Sequence, residues 1–463
     1  MNQVVEESHS NEYSQKMTKW DYLQDASGQI GLSIILLTVG QLTYFYTDKL
    51  GVSAGIVGTW LFAARLTQIV GIWIGDLIDK SKLGNKKYIV WLGRSIIPGA
   101  VGFMLMFTVP TAFGPNVSGV YIFLTNFILM SVIASFIGTP YSSLQVVRTS
   151  DQEERSKMGL FRSLSSFITG MIITISIIPA TNLLGGDAAA WRKFGFILSL
   201  LVIFFLSVCY FSTRNKPIAS TSNFQQQDSI SKLKGSLKAN IKKLFLNKYW
   251  VMVLFINLFL QVNFTLSSMS GVYYMKWIFG NDNLIALLGG LGLIPTALGF
   301  LVTAPMVKRW GVVGTMKKTT YLWIIALLVK ALFPAQFQIN VITSLISTFA
   351  SIPTMSLMGV IAAMSIDYNE HLYQDSMVAL SNATIGFGNQ LGGALATIFL
   401  SQSLALANYS PTMSVVTDSS RYAIYAFSNW LPLIVAIVVL FIYLKFDIEK
   451  ILENLKNNNE QEE

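Results

Sequence analysis

Twelve apolar stretches, each long enough to cross a lipid bilayer as a helix, limit what this 463-residue chain can fold into. A spanning helix needs about 20 predominantly apolar residues, whereas a strand of an outer-membrane barrel spans with about ten alternating ones. The stretches are too long for such strands and predict helices. They lie near residues 28–48, 53–78, 89–110, 118–144, 160–183, 193–212, 247–277, 283–306, 319–337, 340–366, 379–407 and 422–446.

The scarcity of charge excludes a soluble protein. Asp, Glu, Lys and Arg make up 12% of the chain and hydrophobic residues 52%, whereas about a quarter of the residues of a soluble domain are charged. A surface with so few charges must be covered by lipid. We therefore predict an all-α integral membrane protein, folded as one polytopic bundle that has the lipid bilayer as its surroundings.

A polar break divides the predicted spans into two sets of six. Residues 213–246 are rich in Ser, Asn, Gln and Lys. Two similar halves, with the substrate site near the membrane midplane between them, are a recurrent transporter design. The predicted organisation is an N-terminal tail (1–27), a six-helix half (28–212), a central loop (213–246), a second six-helix half (247–446) and a C-terminal tail (447–463).

The distribution of basic residues predicts the orientation in the membrane. Loops after the even-numbered spans carry most of the Lys and Arg, including Lys86, Lys87, Lys317 and Lys318. Because such loops stay on the cytoplasmic side, both termini and the central loop are predicted to be cytoplasmic, and the membrane to be the plasma membrane. This bias accounts for the net charge of +9 without a nucleic-acid partner.

The sequence offers no residue constellation for catalysis, a cofactor or a metal. It contains one cysteine, Cys209, and two histidines, too few for a Cys- or His-rich metal cluster. No catalytic triad, phosphate loop or metalloprotease helix is recognisable. We predict a protein that is not an enzyme and that carries no cofactor.

A glycine- and charge-rich loop, GDLIDKSKLGNKK at 75–87, joins the second and third spans. Its glycines permit a tight turn. Its acid Asp79 is expected to pair with bases at the cytoplasmic rim in one conformation and to release them in the other. The alternative is a basic loop that only sets topology. The pattern resembles the loop signature of the major facilitator superfamily.

Further sequence words resemble one branch of that superfamily, the glycoside–pentoside–hexuronide:cation symporter family, which includes melibiose-permease-like proteins. The words are FYTD at 45–48, PYSSL at 140–144, DQEER at 151–155, GVYY at 271–274 and DYNE at 367–370. The resemblance runs from about Tyr22 to the last span. It implies a twelve-helix transporter with a central sugar site.

The acids on which that family relies are missing at the matching positions. Its cation site uses two carboxylates one turn apart in the second helix, where this chain has Gln68 and Ile72. The family also has sugar-binding acids in its first and fourth helices. At the matching positions this chain has the acid-free stretch 27–32 and Gly138, and it has Leu391 where the family has a lysine. Such a joint loss suggests a changed coupling mechanism or substrate.

The charges that remain in or beside the membrane are candidates for coupling or gating. An intramembrane charge costs about 3 kcal/mol at a helix centre on insertion scales and is a functional candidate by default. Arg65 matches a family arginine, although it could serve only as an interhelical pair. Asp367 and Glu370 could latch onto cytoplasmic bases or be solvated loop acids. The coupling or gating candidates are Arg65, Gln68, Asp79, Asp367 and Glu370.

Polar side chains at membrane depth are candidates for binding a hydroxylated substrate. Arg162 matches a family arginine near the sugar, but could instead extend its guanidinium to the cytoplasmic interface. The neutral groups could instead hydrogen-bond between helices, and tyrosine is also a common interfacial anchor. The candidates are Arg162, Gln41, Thr139, Tyr141, Gln261, Asn263, Asn389 and Gln390.

Together these features predict a secondary active or facilitative transporter of a sugar, glycoside or related small polar metabolite. Alternating access is the expected mechanism. The coupling ion is open and could be absent. The first alternative, motivated by the missing sugar-site acids and the 30 Phe and 17 Met residues, is an exporter of an amphipathic or peptide-like compound. The second is a membrane sensor or assembly partner that transports nothing.

Overall fold

The computed structural model describes residues 17–83, 86–149, 152–214, 216, 237–373, 378–411, 413 and 415–462. Every regular element within these ranges is helical, so the all-α prediction is confirmed. The chain divides into two compact units, Met1–Gln225 and Gln226–Glu463.

The helices are numbered here in chain order. The first unit contains α1 (Lys19–Val39), α2 (Ala54–Leu66), α3 (Val70–Asp79), α4 (Lys87–Leu105), α5 (Pro115–Asn126), α6 (Ala134–Val147), α7 (Gln152–Leu183) and α8 (Ala188–Arg214). The second unit contains α9 (Leu237–Leu246), α10 (Lys248–Ile278), α11 (Leu284–Leu291), α12 (Leu293–Trp310), α13 (Val312–Leu332), α14 (Phe337–Ser356), α15 (Met358–Tyr373), α16 (Val378–Leu406), α17 (Asp418–Tyr425), α18 (Leu431–Leu444) and α19 (Ile448–Glu462).

Within the described residues, all twelve apolar stretches are largely helical, and several spans consist of two or more of these helices in series. In the described part of the chain, nine continuous helices are long and apolar enough to span a bilayer. A tenth span results if α1 is joined to Leu42–Lys49, which follows after a bend of 42°. The second span consists of α2 and α3, which a 3₁₀ turn, Thr67–Ile69, separates. In α16, polar residues such as Asn389 and Gln390 lower the mean hydropathy.

Helix α1 begins well before the apolar stretch that predicted it. Thr18 caps its N-terminus: the backbone N–H of Asp21 donates to Thr18 Oγ1 at 3.2 Å, and the backbone N–H of Thr18 donates to Asp21 Oδ2 at 2.9 Å. This reciprocal capping box satisfies two donors that would otherwise be orphaned at the helix start. The residues that the sequence assigned to the end of the N-terminal tail therefore belong to a helix that packs against α7 and α8.

The C-terminal segment is also structured. Helix α19 follows α18 directly, and its first residue, Ile448, is buried in the core of the second unit, together with Tyr249, Met316 and Val439. Glu449 reaches the N-terminus of α13, where its carboxylate accepts hydrogen bonds from the backbone N–H groups of Val312 at 2.7 Å and Val313 at 3.0 Å. An anion at this position also complements the helix dipole.

Replacing Glu449 with alanine is expected to lower the free energy of unfolding by about 1 kcal/mol, because α13 loses its side-chain cap. Thermal unfolding of the detergent-purified protein would measure the change. Glu453, exposed on the same helix, gives the matched control Glu453→Ala, for which little change is expected. Equal melting temperatures for the two variants would contradict a capping role.

Candidate functional site

A fully buried carboxylate, that of Asp25, lies where α1, α6 and α7 meet. The capping box that starts α1 at Lys19 puts Asp25 in its second turn. Arg162 of α7 binds this carboxylate through two nearly parallel bonds, Nε to Oδ2 at 2.6 Å and Nη2 to Oδ1 at 2.9 Å. Such bidentate guanidinium–carboxylate pairs are among the stronger and more directional hydrogen-bonded contacts in proteins.

A second arginine shares the same carboxylate. Arg148, which follows α6, donates from Nη1 to Asp25 Oδ1 at 3.2 Å, and its side chain is 4% exposed. Asp25 therefore connects the first, fourth and fifth spans. Removing one partner of a buried ion pair leaves an uncompensated charge in a poorly solvating environment, which costs far more than breaking an exposed pair.

The aromatic ring of Tyr141 of α6 packs against the guanidinium of Arg162. The centre of the Arg162 guanidinium lies 3.8 Å from the centroid of the Tyr141 ring, within cation–π distance. The Tyr141 hydroxyl donates to the backbone oxygen of Asp25 at 2.9 Å, and Arg162 Nη1 donates to the backbone oxygen of Tyr141 at 3.1 Å. Ring, carboxylate and backbone thus fix the guanidinium from three directions.

Close helix approach makes this arrangement possible. A Cβ atom at Gly28 of α1 would lie 2.5 Å from Tyr141 Cε2 and 2.9 Å from Cys209 Sγ of α8. Only a glycine lets α1 come this near to both α6 and α8. Small residues at helix contacts serve the same purpose in membrane bundles generally.

The structure corrects one inference from the sequence. The first helix has no acid in the stretch 27–32, but it has Asp25, two residues earlier. The apolar stretch begins at residue 28, whereas the capping box begins the helix at Lys19, so Asp25 lies inside the helix but outside the apolar stretch. The pattern Thr18-x-x-Asp21 was the available signal. The Arg162 guanidinium is buried against Asp25. It therefore does not extend to the cytoplasmic interface, which was the alternative for this residue.

A second buried acid near the start of α7 was not predicted as a site residue either. Glu154 is 6% exposed. Its carboxylate accepts hydrogen bonds from the Tyr22 hydroxyl of α1 and from the backbone N–H of Met17, the latter at 3.3 Å. Lys157 lies 3.8 Å from its other oxygen. Glu154 and Asp25 thus join α1 to α7 at two successive levels.

The family's cation-site position lies on the break in the second span. Gln68 is half-buried in the 3₁₀ turn between α2 and α3. Next to it, Thr67 Oγ1 and Ser131 Oγ are 2.7 Å apart, and Thr67 Oγ1 also donates to the backbone oxygen of Ala64 at 2.6 Å. Ser131 belongs to a π-helical turn, Phe127–Ile133, that interrupts the fourth span. Irregular turns of this kind inside long helices often mark hinges or functional positions.

Among the residues that the structure describes, no group of three or more His, Cys, Asp or Glu side chains is placed to hold a metal ion, in this region or elsewhere. Arg65, in the last turn of α2, is half-buried and forms no ion pair with a described residue. The side chains of Ile72 and Asp79 lie outside the described part, so the gating prediction for Asp79 stays a prediction.

The remaining candidates of the first unit lie apart from Asp25. Gln41 is buried at the bend that follows α1. Thr139 of α6 is half-buried, and its methyl carbon would lie 3.8 Å from a Cβ added at Gly75 of α3. Of the eight substrate-binding candidates, the structure brings only Arg162 and Tyr141 into direct contact around Asp25.

In the second unit the polar candidates are scattered over separate helices. Asn263 of α10 is buried and donates to the backbone oxygen of Pro432 of α18 at 3.0 Å, an interhelical contact. Gln261 donates to Thr265 Oγ1 at 3.2 Å on its own helix. On α16, Asn389 is half-buried and Gln390 is exposed. The gating candidates Asp367 and Glu370 are both exposed on α15.

Comparison with known proteins places this architecture in a family. A model of the family described as MFS/sugar transport protein matches residues 26–450. The isoprimeverose transporter of Lactiplantibacillus pentosus is 27% identical over 438 residues, which are 91% of this chain and 88% of that protein. A glucuronide carrier protein homolog of Escherichia coli (strain K12) is 23% identical and is matched over 81% of each chain.

A solved structure supports the fold. The crystal structure of a D-xylose-proton symporter superposes with a TM-score of 0.61 at 14% identity, covering 92% of this chain and 97% of that one. The major-facilitator fold and the resemblance to sugar and glycoside symporters, both predicted from the sequence, are confirmed. The protein is a multi-pass membrane transporter rather than an enzyme, and it belongs to the MFS/sugar transport protein family.

Proposed function

We propose that the chain transports a sugar or glycoside across the plasma membrane by alternating access, with both termini in the cytoplasm. The family match over residues 26–450 supports this proposal, as do relatives named for the transport of isoprimeverose and glucuronides. Arg162, which the sequence resemblance links to the substrate region, is held in the first unit by the ring and backbone of Tyr141.

The coupling that we propose does not involve sodium bound at the family's cation site in the second span. At Gln68 the chain has a neutral amide, and the neighbouring hydroxyls of Thr67 and Ser131 are hydrogen-bonded to each other at 2.7 Å. Sodium prefers several oxygen ligands, usually including carboxylates, as hard cations do. Two hydroxyls that already satisfy one another and a single amide offer a weak alternative.

We propose proton coupling through Asp25, and its contact with Arg162 carries the proposal. Protonating Asp25 removes the charge on which both of its bonds to Arg162 depend. Proton uptake and the separation of α1 from α7 are therefore linked, because each favours the other. The same carboxylate also holds Arg148, so the fourth span would respond as well.

Uptake into proteoliposomes tests this proposal. We expect labelled isoprimeverose or a labelled glucuronide to accumulate when an inward proton gradient is imposed, and the rate to stay unchanged when potassium replaces sodium. Gln68→Ala should keep at least half of the wild-type rate, because Gln68 holds no ion.

Liposomes without protein, and liposomes whose proton gradient is collapsed with an ionophore, serve as controls. Uptake that stops on sodium removal and is abolished by Gln68→Ala would contradict the coupling proposal. Absence of flux for every sugar tested, together with extrusion of an amphipathic compound, would instead favour an exporter.

A further inference from the structure

A short helix, α9, lies directly before the first span of the second unit. Only Asn247 separates its last residue, Leu246, from the first residue of α10, Lys248. The Asn247 side chain is buried and caps α10, since its oxygen accepts hydrogen bonds from the backbone N–H groups of Tyr249 at 3.0 Å and Trp250 at 3.2 Å. Because α10 is long and apolar enough to span the bilayer, α9 lies at a membrane surface.

One edge of α9 is fixed to the helices of the second unit. Leu244 is 1% exposed and packs against Trp250 of α10. The Asn247 amide donates to the backbone oxygen of Ser365 of α15 at 3.0 Å, and the Trp250 indole N–H donates to the Ser381 hydroxyl of α16. The junction of α9 and α10 is therefore held against two further helices, which fixes the position of α9 at the membrane surface.

Another edge of α9 is apolar and exposed. Ile241 and Phe245 are four residues apart, so they share one side of the helix, and they are 37% and 52% exposed. Leu246 at the helix end is 64% exposed. A helix that lies in the plane of a membrane surface buries such side chains among the outer parts of the acyl chains.

Lysines accompany this apolar edge, and no acid lies near them in the sequence. Residues 229–281 contain seven lysines and no Asp or Glu, and six of those lysines fall within 232–248. Lys242 and Lys248 are both exposed. Lys242 lies three positions before Phe245 and is therefore its neighbour on the helix surface. The positive charge and the apolar edge thus occur side by side.

The tertiary structure does not neutralise this charge. The carboxylate of Asp447 interacts electrostatically with Lys248, but it also interacts with Lys317 and accepts a hydrogen bond from the Tyr249 hydroxyl. One acid is thus shared by two ammonium groups. Lys242 forms no ion pair with any acid that the structure describes. The surface formed by α9 and the start of α10 therefore carries a net positive charge, to which an anionic surface is complementary.

We propose that α9 binds the headgroups of anionic phospholipids at the membrane surface. Lys242 and Lys248 contact the lipid phosphates, and Ile241 and Phe245 insert among the outer parts of the acyl chains. Clusters of lysines on an amphipathic helix beside a membrane span are the arrangement that attracts anionic lipids. This surface is separate from Asp25, and the proposal depends neither on the substrate nor on the coupling ion.

Native mass spectrometry of the full-length protein, delipidated in detergent, tests the proposal. Phosphatidylglycerol and phosphatidylcholine with the same acyl chains are added at equal concentrations. We expect retained phosphatidylglycerol to be several-fold more frequent than retained phosphatidylcholine. An excess of soluble glycerol 3-phosphate, which has the anionic group without the acyl chains, should not displace it. Displacement by glycerol 3-phosphate would assign the lysines to a free anion and overturn the lipid proposal.

Matched double variants assign the preference to α9. Lys242→Gln combined with Lys248→Gln should reduce retained phosphatidylglycerol several-fold, whereas Lys242→Arg combined with Lys248→Arg should keep it. Arg192→Gln combined with Lys193→Gln removes the same charge from exposed positions of the first unit and should also keep it. Each variant should retain the wild-type melting temperature in detergent, because the changed side chains are exposed.

A fluorescent label at residue 241 tests the insertion of the apolar edge. The label is attached to Ile241→Cys, since the native thiol of Cys209 is buried, and the protein is placed in liposomes. Acrylamide in the water should quench the label several-fold less in phosphatidylglycerol than in phosphatidylcholine. Lys242→Gln combined with Lys248→Gln should remove this difference. Equal quenching in the two lipids, or equal phosphatidylglycerol retention by the wild type and this double variant, would overturn the proposal.

Discussion

Replacing Asp25 with asparagine is expected to abolish proton-driven accumulation and to lower the free energy of unfolding by about 3 kcal/mol or more. The carboxylate is fully buried and holds two guanidinium groups, those of Arg162 and Arg148. The asparagine amide has nearly the same shape and fills the space. It carries no charge, however, and only its single oxygen can accept hydrogen bonds from the arginines. Both arginines would remain buried beside a neutral group.

The transport assay should distinguish loss of coupling from loss of the whole protein. If Asp25 carries the proton, any Asp25→Asn protein that folds should still exchange internal for external sugar while failing to accumulate it against a gradient. Wild-type accumulation in this variant would contradict the coupling role. Loss of exchange as well, in a protein with a wild-type melting temperature, would assign Asp25 to substrate binding rather than to the proton.

A double-mutant comparison tests the structural part of the prediction. Arg162→Gln alone should also destabilise the protein, whereas Asp25→Asn combined with Arg162→Gln should cost less than the sum of the single changes, because residues in contact are not additive. Asp418→Asn is the control. Asp418 is 84% exposed in its ion pair with Arg421, and exposed pairs contribute about 0–1 kcal/mol. Strict additivity at Asp25 and Arg162 would contradict the pair.

Substitution of valine for Gly28 is expected to have the second large effect. Even the first added carbon would lie 2.5 Å from the Tyr141 ring and 2.9 Å from Cys209 Sγ, closer than unbonded atoms can approach. Either α1 moves outward or the Tyr141 ring leaves the face of Arg162. Overpacking of a close contact typically costs about 1–3 kcal/mol, and here the displaced ring also bonds the backbone of Asp25.

Gly28→Val should therefore lower the melting temperature clearly and reduce transport at least tenfold, with Gly28→Ala intermediate. The control is Gly138→Ala on α6, where an added Cβ would have no neighbour within 4 Å. Since alanine is the better helix former, that variant should be as stable as the wild type or slightly more so. A wild-type melting temperature for Gly28→Val would mean that α1 lies farther from α6 and α8 than the structure indicates.

The sequence by itself determined the helical class, the multi-pass membrane character and the family. These properties follow from local information: bilayer thickness sets the length of each apolar stretch, and short words such as PYSSL at 140–144 carry the family resemblance. It also singled out Arg162 and Tyr141, because a charged or polar group at membrane depth is conspicuous against an apolar background.

Only the tertiary structure decided which of these groups meet. Asp25 and Arg162 are 137 positions apart in the chain, and Asn263 finds its partner Pro432 169 positions away. Thr67 and Ser131 meet because two irregular turns pack against each other. A buried polar group is stabilised by whichever partner the helix packing brings within about 3 Å, and that distance depends on contacts such as Gly28 against Tyr141 that no local pattern encodes.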